Sequence, residues 1–229
     1  MNRIGTLHES SLHADLKEWY AGPGDRIEVE VDGYHIDLVR ADELIEIQTG
    51  NFRAIKAKLE KLLGSHRVRL VYPIAQERWI NRTDKRGRLL KRRKSPKRGR
   101  IEDLFDPLVS IPAIITKPGF TLEILVMQED VIWQDDGRGS WRRKGWSVAD
   151  RRLISVVETI SLEWPVSYRA LLPPDLPNSF TNRDLADALK MRIGLAQKMT
   201  YCLSRMNVIS CTGRRSRSNL YTIFDRPSS

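Results

Sequence analysis

Residues 34–50, YHIDLVRADELIEIQTG, hold the reading that decides the fold. HIDLV at 35–39 and LIEIQ at 44–48 are strand-like, and ADE at 41–43 turns the chain between them. Side chains alternate across a strand, so Glu46 and Gln48 are expected on one face, with Ile45 and Ile47 on the other. Asp37 is likewise expected to face away from Ile36 and Leu38. If the tight turn pairs the two strands, Asp37 and Glu46 converge at one end of a sheet. Two converging carboxylates repel, and burying either alone is expensive. A divalent cation resolves both costs, and hard oxygen donors with positions left for water suit magnesium. The plain alternative is that both carboxylates end strands and meet solvent or Arg40.

The flanking sequence supplies the rest of a domain. Residues 6–20, TLHESSLHADLKEWY, fit a helix whose inward face carries Leu12, Leu16, Trp19 and Tyr20. At about 100° per residue, Glu9 and His13 fall beside that stripe while Glu18 points away. RIEVEV at 26–31 is a strand, joined to the next by a hairpin turn with Asp-Gly at its centre. NFRAIKAKLEKLL at 51–63 is a second amphipathic helix, and VRLVYPI at 68–74 is a strand apolar enough to be covered on both faces. The order is α-β-β-β-α-β.

Residues 75–147 form an elaboration on this domain. ERWINRTDKRGRLLKRRK reads as a projecting hairpin turning at DKRG. A long strand pattern comes next, turns at DDGRG and ends in the basic-aromatic cluster WRRKGW, where Trp141 and Trp146 are expected in the core. Residues 148–164 are expected to be a helix, and the proline-rich LLPPDLP at 171–177 links onward. Thr181 and Asp184 form a capping-box-like start for the helix DLADAL. A second helix over 194–206 and two strands, VISC and LYTIF, around the basic loop TGRRSRSN complete the chain. The expected division is 1–147 and 148–229.

Charge points to a polyanionic partner. The net charge is +10, and residues 82–100 alone hold 11 Lys and Arg against one Asp. Residues 178–229 add 9 basic against 3 acidic residues. Such segregation is the footprint of a nucleic-acid binder. No apolar run is long enough to span a bilayer, and the N-terminus lacks the apolar stretch of a signal peptide. Two cysteines without a CxxC pair, Cys202 and Cys211, support neither a disulfide framework nor a zinc site and are expected to pack. A cytoplasmic protein without membrane contact is expected.

The α-β-β-β-α-β order, with I-D-L at 36–38 and E-I-Q at 46–48, resembles the PD-(D/E)XK nuclease superfamily, the restriction-endonuclease-like fold, over about residues 5–75. The resemblance implies a DNA endonuclease using magnesium, with manganese as a substitute. It implies Asp37, Glu46 and the Ile47 carbonyl as metal ligands, Gln48 orienting the attacking water and Glu9 as an acidic residue from the first helix. Gln48 stands where lysine is usual, and glutamine neither acts as a base nor carries charge. Lys17, Lys56 or Lys58 would then have to reach in from a helix. Related nucleases often act as dimers, so a homodimer is a further expectation.

Residues 148–225 resemble a winged helix-turn-helix domain. That resemblance implies that Gln197, Lys198 and Arg205 on the helix at 194–206 enter the major groove, while Arg214, Arg215 and Arg217 in the wing contact DNA. Arg92, Arg93, Lys94, Lys97 and Arg98, with Arg142, Arg143 and Lys144, are expected to neutralise phosphates. Since winged helices also bind proteins, a non-enzymatic DNA-binding protein that keeps a nuclease-like scaffold is the competing reading. A substrate of branched or damaged DNA, or of RNA, is left open.

Overall fold

The computed structural model describes residues 10–137 and 145–224. It is a mixed α/β molecule built on a large mixed sheet. Helix α1 (Ser11–Tyr20) starts at Ser10, whose hydroxyl caps the N–H of His13. Strands β1 (Arg26–Val31), β2 (Tyr34–Arg40) and β3 (Glu43–Ile47) come next, then a 3-10 turn (Phe52–Ile55) and α2 (Lys56–Leu62). Long strand β4 (Arg67–Thr83) folds back as β5 (Leu89–Lys94). The segment 101–115, containing the short helix α3 (Phe105–Leu108), leads to β6 (Phe120–Asp135) and β7 (Trp146–Leu162). The sheet order is β1-β2-β3-β4-β6-β7, with β5 beside β4; β3/β4 and β4/β6 are parallel and the other pairs antiparallel.

Both faces of the sheet are covered, as parallel strands require. On one face α1 buries Leu12 and Leu16 against Leu38, Ile45, Ile47, Val71, Leu125 and Met127. On the other, Leu44, Leu70 and Ile124 join a larger core with Phe52 and Leu59. That core runs on without a break through Phe105 and Leu108 into Tyr168, Phe180, Leu185 and Met199 of the C-terminal unit. This unit contains β8 (Ser179–Thr181), α4 (Asn182–Ala188), α5 (Ile193–Arg205), β9 (Ile209–Arg215) and β10 (Ser218–Ile223), with sheet order β8-β10-β9. Thr181 and Asp184 do form the capping box of α4.

Several expectations are corrected. Residues 148–164 are not a helix: Trp146–Leu162 is a strand paired along its length with β6. Val148, Ile154, Val156, Val157, Thr159 and Ile160 are β-branched and favour the strand. The register shifts at three points, and each bulge breaks the two-residue period that marks a strand. The unit boundary therefore falls after β7 rather than at 147. Trp19 does not line the inward face of α1; it is exposed. Ile36 and Leu38 lie in different cores, so strict alternation fails around Asp37. Cys202 is packed as expected, whereas Cys211 is exposed.

Strand β4 shapes the region next to the end of β3. It runs far past that end, carrying Pro73 in the stretch after β3 has ended and before β5 begins, where a missing N–H is tolerated. Residues 95–99 fill that stretch, with the N–H of Ser95 donating to the Arg78 carbonyl and that of Gly99 to the Ala75 carbonyl, each at 2.8 Å.

Candidate active site

Asp37 and Glu46 lie near enough at the end of β3 for the Asp37 charge to act on Glu46, although Asp37 meets α1 and Glu46 meets α2. The β2/β3 ladder pairs Leu38 with Ile45, Val39 with Leu44 and Arg40 with Glu43. Beyond it, the Asp37 carboxylate takes over from the backbone: its Oδ2 accepts the Ile47 N–H at 2.8 Å. Across β1, the pairing of Ile27 with Leu38 and of Val29 with Ile36 sets Glu28 opposite Asp37. Glu28 has a left-handed backbone, φ 53°, a conformation that is uncommon for a residue with a Cβ and that occurs preferentially at functional sites.

Cations from two helices meet these carboxylates. From α1, His13 Nε2 stands 3.2 Å from Asp37 Oδ2, and Lys17, buried in the last turn, donates to Glu28 Oε1 at 2.7 Å. From α2, Lys58 Nζ donates to Glu46 Oε2 at 2.6 Å and to the His35 carbonyl. Of the three lysines considered as substitutes at Gln48, Lys58 is the one that reaches Glu46. Lys56 lies exposed, 3.9 Å from Glu60. Arg40 is engaged with Asp25 at 2.7 Å and does not meet Asp37 or Glu46.

The two carboxyls are pushed apart in acidity. Burial raises Glu46 to about 7, with the neighbouring Asp37 charge adding to it, against the pull of Lys58 and His13. Burial also pushes Asp37 up, but the His13 hydrogen bond and charge, the Ile47 N–H and Lys17 outweigh it and hold this group below its ordinary value. Glu28 is held low by its hydrogen bond to Lys17. Gln48 follows the end of β3: its N–H donates to the Val71 carbonyl at 2.9 Å, and its amide Nε2 is 3.5 Å from the Asn51 carbonyl. Glu9 lies outside the described residues.

The donor set fits a hard cation. The two carboxylates are oxygen donors of the kind magnesium accepts, since it keeps several waters; Asp37 already holds His13 and the Ile47 N–H, and Glu46 holds Lys58. Among the described residues, no three His, Cys, Asp or Glu side chains gather as a complete ligand cage.

The basic residues divide by what they already hold. Arg92 stacks on Trp79 and pairs with Asp130 at 3.2 Å, while Lys94 and Arg98 pair with Glu77. Arg93 and Lys97 are exposed, and their side chains have no partner among the described residues. In the C-terminal unit, Lys198 pairs with Asp106 at 2.8 Å, and Arg205 stacks on Tyr201 beside residues 109–116. This face of α5 therefore fronts the large-sheet unit, with Gln197 exposed on it. Arg215 pairs with Asp184 at 3.0 Å, whereas Arg214 and Arg217 are exposed on the β9–β10 hairpin. Arg142, Arg143, Lys144 and Trp141 lie outside the described residues. Trp146, half-buried, is covered by Arg82 at 5.0 Å.

Sequence reasoning missed Glu28 as a member of the site, and had Lys17 only as a candidate substitute at Gln48, whereas it pairs with Glu28. The Asp-Gly turn at 32–33 held the signal for Glu28, because pairing Val31 with Tyr34 fixes Glu28 opposite Asp37.

No solved structure matches the chain. A protein of Treponema pallidum (strain Nichols), named only as an uncharacterized protein, is 30% identical over 222 residues, covering 95% of this chain and 86% of its own length. The family described as Domain of unknown function (DUF8091) matches residues 10–163, which run from the cap of α1 to the end of β7. The large-sheet unit, with every described member of the carboxylate site, is thus the part of the molecule the family defines, and the chain belongs to that family.

Proposed function

We propose that this protein is a metal-dependent DNA endonuclease of the PD-(D/E)XK type, carrying a C-terminal winged helix-turn-helix unit. The observation that carries the reading is Lys58. The element order and the Asp37–Glu46 pair support the resemblance, and Lys58 of α2, 2.6 Å from Glu46, is placed to serve for the lysine absent at Gln48. The sheet order of the C-terminal unit and the capped helix α4 preceding α5 support the second assignment.

Asp37, Glu46 and the Ile47 carbonyl would hold the metal. Bound there, magnesium supplies polarisation of a phosphate oxygen and a water of lowered pKa. His13 and the Ile47 N–H fix the Asp37 carboxylate in place. Lys58 offers a charged donor for the developing negative charge on the phosphate, in a partly buried site where such a donor is worth most. Gln48, two residues beyond Glu46, can hold a water but not take its proton. Double-stranded DNA is the proposed substrate, with phosphodiester hydrolysis as the reaction.

The test is cleavage of plasmid and of short duplexes with magnesium, manganese or chelator, using wild type, Asp37→Ala and Glu46→Ala. Metal-dependent cutting lost in both variants supports the reading. One observation favours the non-enzymatic alternative: Lys58 and His13 already face the two carboxylates, a balance that serves a structural role without metal. That alternative predicts salt-sensitive binding with no cutting under any metal.

A further inference from the structure

The carboxylate site lies where β3 ends, at Ile47, level with Val71 of β4. From that level β4 continues for 12 residues to Thr83, paired with β6 throughout, and β5 joins its other edge from Trp79 onward. At about 3.3 Å per residue the arm ends roughly 40 Å from the site. Its base is closed by residues 95–99, which carry exposed Lys97 and depend on Gly99: a Cβ there would stand 2.6 Å from the Ala75 carbonyl. Lys97 is thus an exposed cation between the site and the arm.

The arm's cations are of two kinds. Arg92, Lys94, Arg98 and Arg88 are tied to Asp130, Glu77 and Asp84. Lys85 and Arg86 in the turn, with Lys91 and Arg93 on β5, are exposed, and their side chains have no partner among the described residues. Lys91 and Arg93 are two apart on the strand and so share a face. Between the turn and these cations stand Leu89 and Leu90, 61% and 60% exposed. The register shifts at this point: Leu89 pairs with Thr83 and Lys91 with Arg82, which leaves Leu90 as an extra residue and breaks the alternation that would part the two leucines. β5 pairs with β4 alone, and four of its six residues are cations, which disfavours addition of a protein strand to its free edge. An exposed apolar pair set among free cations has the composition of a groove-binding wedge.

We infer that the β4–β5 arm is a DNA-deforming ribbon: Lys85, Arg86, Lys91 and Arg93 take phosphates of double-stranded DNA, and Leu89 and Leu90 wedge a base step about one helical turn from the carboxylate site. One turn is about 34–36 Å, which the arm's length spans. The inference rests on the proposed DNA reading and adds where and how the duplex is held.

The test uses a 20-base-pair duplex, about 68 Å long, with a donor and an acceptor dye at its ends, in chelator so that it stays intact. Wild type is compared with Lys85→Ala/Arg86→Ala/Lys91→Ala/Arg93→Ala and with Leu89→Ala/Leu90→Ala. Thermal melts check that these surface variants fold. Wild type is expected to raise energy transfer by bending the duplex. The quadruple variant should lower the slope of log affinity against log salt by about 3 to 4. The leucine variant should keep that slope and lose at least half of the energy-transfer change. An unchanged slope in the first variant, or wild-type bending in the second, overturns the inference. If wild type also cuts DNA with magnesium, only the arm inference falls. Failure of wild type to bind any duplex overturns both readings.

Discussion

Lys58 and Glu46 carry the chemistry at the residue scale. Removing one charged donor from a preorganised site typically costs 10²–10³ in turnover, so Lys58→Ala should lower single-turnover cleavage by about that factor. DNA affinity in chelator should stay within a few-fold of wild type, measured by fluorescence anisotropy. Gln48→Ala should cost less than about tenfold, because its amide reaches only the Asn51 carbonyl at long range. Much of the site could be read from the chain. The apolar neighbours of Asp37 and Glu46 implied buried acids, and the E-I-Q spacing placed Gln48 on the same face as Glu46. Which lysine answers Glu46 could not be read, because Lys17, Lys56 and Lys58 all lie on helices of unknown rotation. The break in alternation at Asp37 was equally hidden, since it arises where the carboxylate replaces a ladder bond to Ile47.

At the scale of elements, β7 is the lesson. Its β-branched residues argued for a strand, but its bulges scatter the apolar residues and leave a pattern that passes for helical spacing. Register with β6, a property of two strands rather than one, resolves it. The segment at Gly99 gives a direct test. Gly99→Ala forces a Cβ onto backbone that cannot yield like a flexible side chain, and should destabilise the protein by about 1–3 kcal/mol in denaturant titration. The capping box of α4 gives another. The Thr181 N–H holds Asp184 below its ordinary value, with the Thr181 hydroxyl and Arg215 adding to it. A depressed carboxylate contributes stability above its unfolded value of 3.8 and loses it as pH falls through the folded one. Asp184→Ala should therefore cost about 1 kcal/mol at pH 7, and the gap from wild type should narrow below pH 4 in thermal melts.

For the whole molecule, the shared core matters most. The C-terminal segment with its own three-stranded sheet was marked in the chain by the prolines at 173, 174 and 177 and the capping signal at Thr181. Its fusion to the large-sheet unit was not, because an apolar residue in either one reads as that unit's own core. Phe105 and Leu108 pack with Met199 and Tyr168, and Lys198 reaches Asp106 across the junction. Calorimetry should accordingly give one unfolding transition. A chain ended at residue 163 should expose the Phe105 face and lose cooperative melting, even though the family match spans that portion. No helix among the described residues is long and apolar enough to cross a membrane. The measurement closest to the central claim is cleavage of supercoiled plasmid with and without magnesium by wild type, Asp37→Ala and Glu46→Ala. The account predicts nicked or linear product with wild type and magnesium alone, and none from either variant. Cutting that survives both substitutions, or binding without cutting under magnesium and manganese alike, would contradict it.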